Sequence, residues 1–169
     1  SYFKSREGIR FVIQNRTKYS SDSLSLKHLK SITKSLPEGY SVKRIDKQMI
    51  KRTPIEIKEH VPTQFGSDER FLEEGIGFCV LDGEHPVSLA SSFFPFEDKL
   101  EVEIITVDDS KYRRKGFATA ACIALIEYCL ENNVTPYWDA QNEASAKLAE
   151  NLGFTKPDKW KLFYYIPDK

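Results

Sequence analysis

Apolar and polar positions divide this chain into short segments of changing period. GIRFVIQNR alternates as a strand does, and SLSLKHLKSITKSL has the i, i+3, i+4 spacing of an amphipathic helix. PEGY breaks the pattern. YSVKRID, residues 40–46, reads as a strand, with Tyr40, Val42 and Arg44 facing opposite to Ser41, Lys43 and Ile45. Helical or irregular sequence continues to about Glu74, punctuated by Pro54 and Pro62. IGFCVLD and HPVSLASSFFPF are then two strands joined by a tight turn at Asp82-Gly83. KLEVEIITV, residues 99–107, is a strand rich in β-branched residues, and a helix apolar on almost every side runs from about Gly116 to Glu131. TPYWDA is a short strand, and NEASAKLAENLGF a helix with Asn142 as N-cap and Gly153 as left-handed stop. KWKLFYYIP closes the chain as a strand. Strands alternate with helices only in the second half, so the pattern predicts a mixed α/β sheet rather than a doubly wound one.

Composition narrows this picture. At 169 residues, 40% hydrophobic and 12% aromatic, the chain suits one compact domain with a real core. Neither a membrane-spanning run nor a signal-peptide pattern is present, and the first residue is Ser. That start suggests the C-terminal part of a longer protein, with residues 1–36 a strand-helix remnant of a longer N-terminal region and 37–169 the main domain. Cys79, Cys122 and Cys129 form no CxxC pair, which argues for a reducing cytoplasm and against a disulfide framework or a metal site. Net charge is zero but uneven: residues 1–60 hold 14 Lys/Arg against 6 Asp/Glu, and the rest is acidic to match. The plain reading is two differently solvated faces; a sharper one is that the acidic part attracts a cationic amine. No basic motif interleaved with aromatics appears, so a nucleic-acid partner is not expected.

One stretch runs against electrostatics. YRRKGFATAA sets Arg113, Arg114 and Lys115 at the start of a helix, where the macrodipole favours anions by about 0.3–1 kcal/mol per charge. The stretch is either an ordinary basic loop capping a core helix or a site for a guest of greater negative charge. Unpaired N–H groups there could meet a phosphate, with Gly116 allowing close approach, Ala118 adding only a methyl and Thr119 offering a hydroxyl. The sequence contains neither G-x-x-x-x-G-K-[ST] nor G-x-G-x-x-G.

YRRKGFAT resembles motif A of the GNAT superfamily of N-acetyltransferases, [R/Q]-x-x-G-x-[G/A], met by Arg113, Gly116 and Ala118. NEASAKLAENLGF is similar to that family's last-helix motif, N-x-x-A followed by L-G-F. The two stand in the right order with one strand between, and the element order from Tyr40 onward also looks like the GNAT fold. PYWDAQNEASAKLAENLGF further resembles the group that includes zwittermicin A resistance proteins. The resemblance implies a central, mostly antiparallel sheet splayed between two strands, here KLEVEIITV and TPYWDA, and flanked by helices. It implies acetyl-CoA as co-substrate, no metal, and transfer to a primary amine of a small molecule.

By the same resemblance, the backbone of Ile105, Thr106 and Val107 pairs with the pantetheine arm. N–H groups around Arg113, Arg114, Lys115, Gly116, Phe117, Ala118 and Thr119 hold the pyrophosphate, and Asn142 touches the arm. A backbone N–H near Val107 would stabilise the oxyanion. Glu101 and Glu103 share one strand face and are the candidate bases, Glu103 lying nearer the thioester; the alternative is that both are ordinary solvent-facing residues. The Tyr that many members carry seven residues after the Asn is here Ala149, so Tyr137, Tyr164, another donor or water would have to protonate the thiolate. Trp138 and Asp139 read either as acceptor-pocket residues or, for the Trp, as core. The acceptor pocket would be built from about residues 47–75. A non-catalytic CoA-binding module is the competing reading.

Overall fold

The computed structural model describes residues 9–58, 64–94 and 98–167. A single seven-stranded sheet contains β1 (Ile9–Ser20), β2 (Tyr40–Arg44), β3 (Gly77–Asp82), β4 (His85–Ser92), β5 (Lys99–Thr106), β6 (Thr135–Ala140) and β7 (Thr155–Pro167). Its order is β2-β3-β4-β5-β6-β1-β7, with every pair antiparallel except β5 and β6. The mixed, mostly antiparallel sheet expected from the sequence is therefore present. The end of HPVSLASSFFPF (95 and 96), the start of GIRFVIQNR (8) and Pro62 lie outside the described residues.

Two helical layers cover the sheet. On one face lie α1 (Leu26–Ile32), α5 (Phe117–Glu131) and α6 (Glu143–Leu152). On the other lie α2 (Lys47–Arg52), α3 (Ile55–Lys58) and α4 (Asp68–Glu74), which enclose a second core of Ile45, Ile50, Ile57, Phe65, Phe71, Cys79, Leu81 and Leu89. The all-round apolarity of α5 has a structural cause. It packs on β3, β4 and β5 and is itself covered by α1 and α6, so Phe117, Ala121, Cys122, Leu125, Ile126 and Cys129 are all buried. Burial pushes the Cys79 and Cys129 thiols up to about 12, and the Cys122 thiol higher still. None of the three is a nucleophile at neutral pH.

Several local expectations are met for stated reasons. Asn142 caps α6 by accepting from the Ser145 N–H at 2.9 Å, and Gly153 ends the helix at φ +101°. The hairpin turns at Gly83, φ +59°, with Asp82 opposite His85. Helix α1 is shorter than its periodicity suggests, because the Thr33 hydroxyl takes the Leu29 carbonyl at 2.8 Å and the backbone of Thr33 turns extended. Strand β1 lies between β6 and β7, so the strand read from GIRFVIQNR is an inner strand of the sheet.

Candidate active site

Strands β5 and β6 pair only through Lys99–Thr135, Leu100–Pro136 and Glu101–Tyr137. No pairing follows, although both strands continue, to Thr106 and Ala140. The sheet therefore opens into a wedge whose mouth lies at the carboxyl ends of two parallel strands, the usual ligand position in such sheets. Helix α5 follows the end of β5 after residues 107–116, and α6 follows the end of β6 after residues 141–142.

The ladder between β4 and β5 fixes which backbone groups line that wedge. The Phe93 N–H donates to the Glu101 carbonyl at 2.9 Å, and the Val107 N–H donates to the Val87 carbonyl at 3.0 Å. With Leu89 opposite Ile105 and Ser91 opposite Glu103, the backbone groups of odd-numbered residues point to β4. Those of Val102, Ile104 and Thr106 point to the open side. Of the three residues expected along a pantetheine arm, Thr106 has this orientation, whereas Ile105 and Val107 are engaged with β4 and Ile104 takes the open edge. Val107, the position expected at an oxyanion, has already given its N–H to Val87. Parity of the ladder is a pairing property that no sequence pattern carries.

The start of α5 differs from its neighbours. Helices α1, α2, α4 and α6 each have a capping side chain, from Ser25, Asp46, Ser67 and Asn142. The N-cap of α5 is Gly116 at φ +79°, with no side-chain cap bond and no acid in the first turn. Its leading N–H groups keep no partner within the helix. Arg114 is also left-handed, at φ +57°, while Lys115 between them is not. Such alternation turns successive N–H groups toward one concavity, an anion nest. A left-handed Arg is uncommon enough to point to function. A Cβ placed on Gly116 would meet nothing within 4 Å, so the space beside it is open.

The cations divide. Arg114 and Lys115 are exposed beside the nest, whereas Arg113 is paired with Asp108 at 2.9 Å. The loop before them is pinned by Tyr112, whose hydroxyl donates to Asp82 at 3.1 Å. Phe117 is 1% exposed and packs on Tyr40 and Tyr112, so only its backbone can serve an anion. Ala118 and Thr119 are half-buried. A groove of about 720 Å³ starts at Lys115 and Gly116, passes Thr119 and Ala120, and runs between α5 and residues 30–36.

Side chains divide by face. Leu100, Val102, Trp138 and Ala140 point into the core beneath α5 and α6. Trp138 is 3% exposed and donates to the Ser145 hydroxyl at 3.1 Å, which makes it a core residue rather than a pocket wall. Ala149 is fully buried and carries no donor. Glu101, Glu103, Tyr137 and Asp139 lie on the opposite face, the one that α2 and α4 wall off farther along. Tyr137 is exposed beside Glu101, while Tyr164 lies two strands beyond β6, on β7. Glu101 is half-buried. That burial raises its carboxyl above the usual carboxylate range, and Asp139 adds to the effect while Arg16 and Lys18 oppose it. The arrangement offers backbone donors along one wedge wall, an anion nest at the same end of the sheet, and three carboxyl groups on one face. It suits acyl or phosphoryl chemistry on an anionic carrier with a proton acceptor alongside. Among the described residues, no group of three or more His, Cys, Asp or Glu side chains could hold a metal ion, and no helix is long and apolar enough to cross a membrane.

Asn142 serves the fold through its cap bond whatever it touches besides. Asn142→Ala is expected to cost about 1 kcal/mol and to lower Tm by about 2–4 °C, read by thermal unfolding without ligand. An unchanged Tm would mean that the bond to Ser145 contributes nothing.

A family model described as GNAT acetyltransferase matches residues 4–163. An uncharacterised N-acetyltransferase of Bacillus subtilis (strain 168), YdfB, is 33% identical over 134 residues, covering 78% of this chain and 51% of the relative. A GCN5-related N-acetyltransferase-like protein from Streptococcus suis 89/1591 superposes with TM-score 0.78 at 30% identity, over 95% of this chain and 64% of that one. A GNAT-family acetyltransferase from Novosphingobium aromaticivorans superposes with TM-score 0.64 at 16% identity, over 99% of this chain and 70% of that one, and shows the fold alone. The chain spans about half the length of the curated relative it matches.

Proposed function

Because this chain belongs to the GNAT acetyltransferase family, we propose that it transfers the acetyl group of acetyl-CoA directly to a primary amine of a small molecule. The observation that carries this reading is the uncapped, left-handed start of α5, at the same end of the sheet as the unpaired edge of β5. Acetyl-CoA is a substrate here. Its pyrophosphate would lie on the N–H groups of Arg114 to Thr119, with the Thr119 hydroxyl and the Arg114 and Lys115 charges assisting. Its pantetheine arm would run along the open edge at Ile104 and Thr106, with Asn142 at the far side of the mouth.

The acceptor enters from the carboxylate face. An ammonium is not a nucleophile, so Glu103, nearer the mouth than Glu101, removes its proton directly or through water. The C–N bond forms, the oxyanion meets an N–H of the open edge, the nitrogen gives up its second proton to water, and the C–S bond breaks. The departing thiolate takes a proton from Tyr137 or water, since Ala149 has none to give. The position of Tyr137 on β6, a wall of the wedge, favours it over Tyr164, which lies two strands away on β7.

A CoA-binding module without turnover is the second reading, and the buried Ala149 is what favours it. A panel of primary amines with acetyl-CoA, read by release of the CoA thiol, separates the two. Release that depends on the amine supports transfer. Binding of acetyl-CoA with no amine-dependent release supports the module.

A further inference from the structure

A cluster that the transfer reading leaves unused occupies the same sheet face as Glu101. Asp139 follows Tyr137 by two residues on β6, and Tyr137 is the register partner of Glu101. Lys18 is the partner of Asp139 across β1, and Arg16 is the partner of Trp160 across β7. Both oxygens of Asp139 are held. Trp160 Nε1 donates to Oδ1 at 3.0 Å, and Arg16 Nη2 lies 3.3 Å from Oδ2 while donating to the Asp139 backbone carbonyl at 3.0 Å. The Lys18 ammonium sits 4.4 Å from the centre of the Trp160 ring and so fixes the other side of the indole.

This clamp is not explained by stability. Arg16 reaches Asp139 with its Nε–H buried and without a partner, which subtracts from stability rather than adding to it. A partly buried ion pair is also weak evidence of net stabilisation, because desolvation offsets the attraction. What the clamp does accomplish is to keep one carboxylate of fixed orientation on the strand next to Glu101. The charged groups that act on Glu101 are Asp139 from β6, Arg16 and Lys18 from β1, and Glu103 from its own strand. Strand β4 sets Ser91 and Phe93 opposite these carboxylates, and neither is charged.

We propose that Asp139, clamped by Arg16 and Trp160, is a positioning residue for Glu101, and that Arg16 and Asp139 together fix the charge state in which Glu101 meets the proton leaving the acceptor amine. Glu103 and Glu101 stand about 7 Å apart along one strand face, two residues at about 3.3–3.4 Å each. A proton taken by Glu103 can pass to Glu101 through water. Asp139 makes Glu101 a better proton acceptor, and Arg16 limits how strongly it does so. No bond to carbon changes at either residue.

The inference rests on the transferase reading only for its consequence, so the test reads Glu101 directly. The carboxyl ¹³C resonance of Glu101 is titrated by NMR in the intact chain and in Asp139→Asn and Arg16→Met. Neutralising Asp139 removes a like charge and frees the Arg16 charge, so the Glu101 midpoint should fall by about half a unit or more. Removing the Arg16 charge should raise it. Trp160→Phe, which keeps the ring but loses the bond to Oδ1, should move the midpoint less than either. Opposite shifts are something that loosened packing alone would not produce. Midpoints that stay put, or move in the same direction in the first two variants, overturn the proposal. If Asp139→Asn does not fold, Arg16→Met decides: a Glu101 midpoint that fails to rise overturns the proposal. Loss of amine-dependent turnover is read separately: opposite shifts in a chain that turns over no amine would sink the transferase reading and leave the clamp standing.

Discussion

Glu103→Gln lowers kcat by about 10²–10⁴-fold, the range for loss of a positioned general base, while leaving the affinity for acetyl-CoA nearly unchanged. The substitution keeps shape and removes only the ability to take a proton. Glu103 lies on β5 beyond the last paired residue, Glu101, and therefore where the wedge has opened. The acetyl-CoA contacts proposed here are backbone groups and the start of α5, none of which passes through this side chain. The split between kcat and binding is therefore the signature. It is read from steady-state thiol release with the best amine of the panel, together with calorimetric binding of acetyl-CoA. A full loss in Glu101→Gln with Glu103→Gln still active would move the base to Glu101. A loss of acetyl-CoA binding in Glu103→Gln would contradict the assignment altogether.

Phe117→Ala should destabilise the chain by about 3–5 kcal/mol, as truncations of large buried aromatics do. Phe117 is 1% exposed and is the first residue of α5, with ring centroids of Tyr40 and Tyr112 at 4.6 and 6.4 Å. It ties the nest to β2 and to the loop that Tyr112 holds against Asp82. The cavity would sit directly under the turn that carries Arg114 and Gly116, where collapse is opposed by two left-handed residues. In urea, with m of about 1–3 kcal/mol/M, the midpoint should fall by more than about 1 M. A fall of a few tenths would show that the turn does not depend on this ring.

The parts of the fold legible in the sequence were those with local causes. The Asn142 cap, the Gly153 stop, the hairpin at Gly83 and the buried α5 each rest on residues within a few positions of one another. The concentration of cations before an uncapped helix was legible for the same reason. Pairing was not. That β1 lies between β6 and β7 depends on contacts such as Thr17 with Ala140 and Arg16 with Trp160, more than a hundred residues apart. The exchange of Ile105 and Val107 for Ile104 on the open edge follows from one hydrogen bond, Val107 to Val87, which alternation in a strand cannot reveal. The clamp on Asp139 draws on β1, β6 and β7 and has no motif. Aromatic content at KWKLFYYIP was the one available hint, and it read equally well as strand.

The central claim is that the start of α5 holds the phosphates of acetyl-CoA. Thermal unfolding of the chain during an acetyl-CoA titration tests it most directly, with Arg114→Glu plus Lys115→Glu measured alongside. At 100 times the dissociation constant the ligand adds about 2.7 kcal/mol, which for a chain of this size is a rise in Tm of about 5–10 °C. The account predicts that rise in the intact chain and its loss in the double variant, whose unliganded Tm stays close to the original because both side chains are exposed. A Tm that does not move with acetyl-CoA, or that rises equally in both proteins, would contradict it.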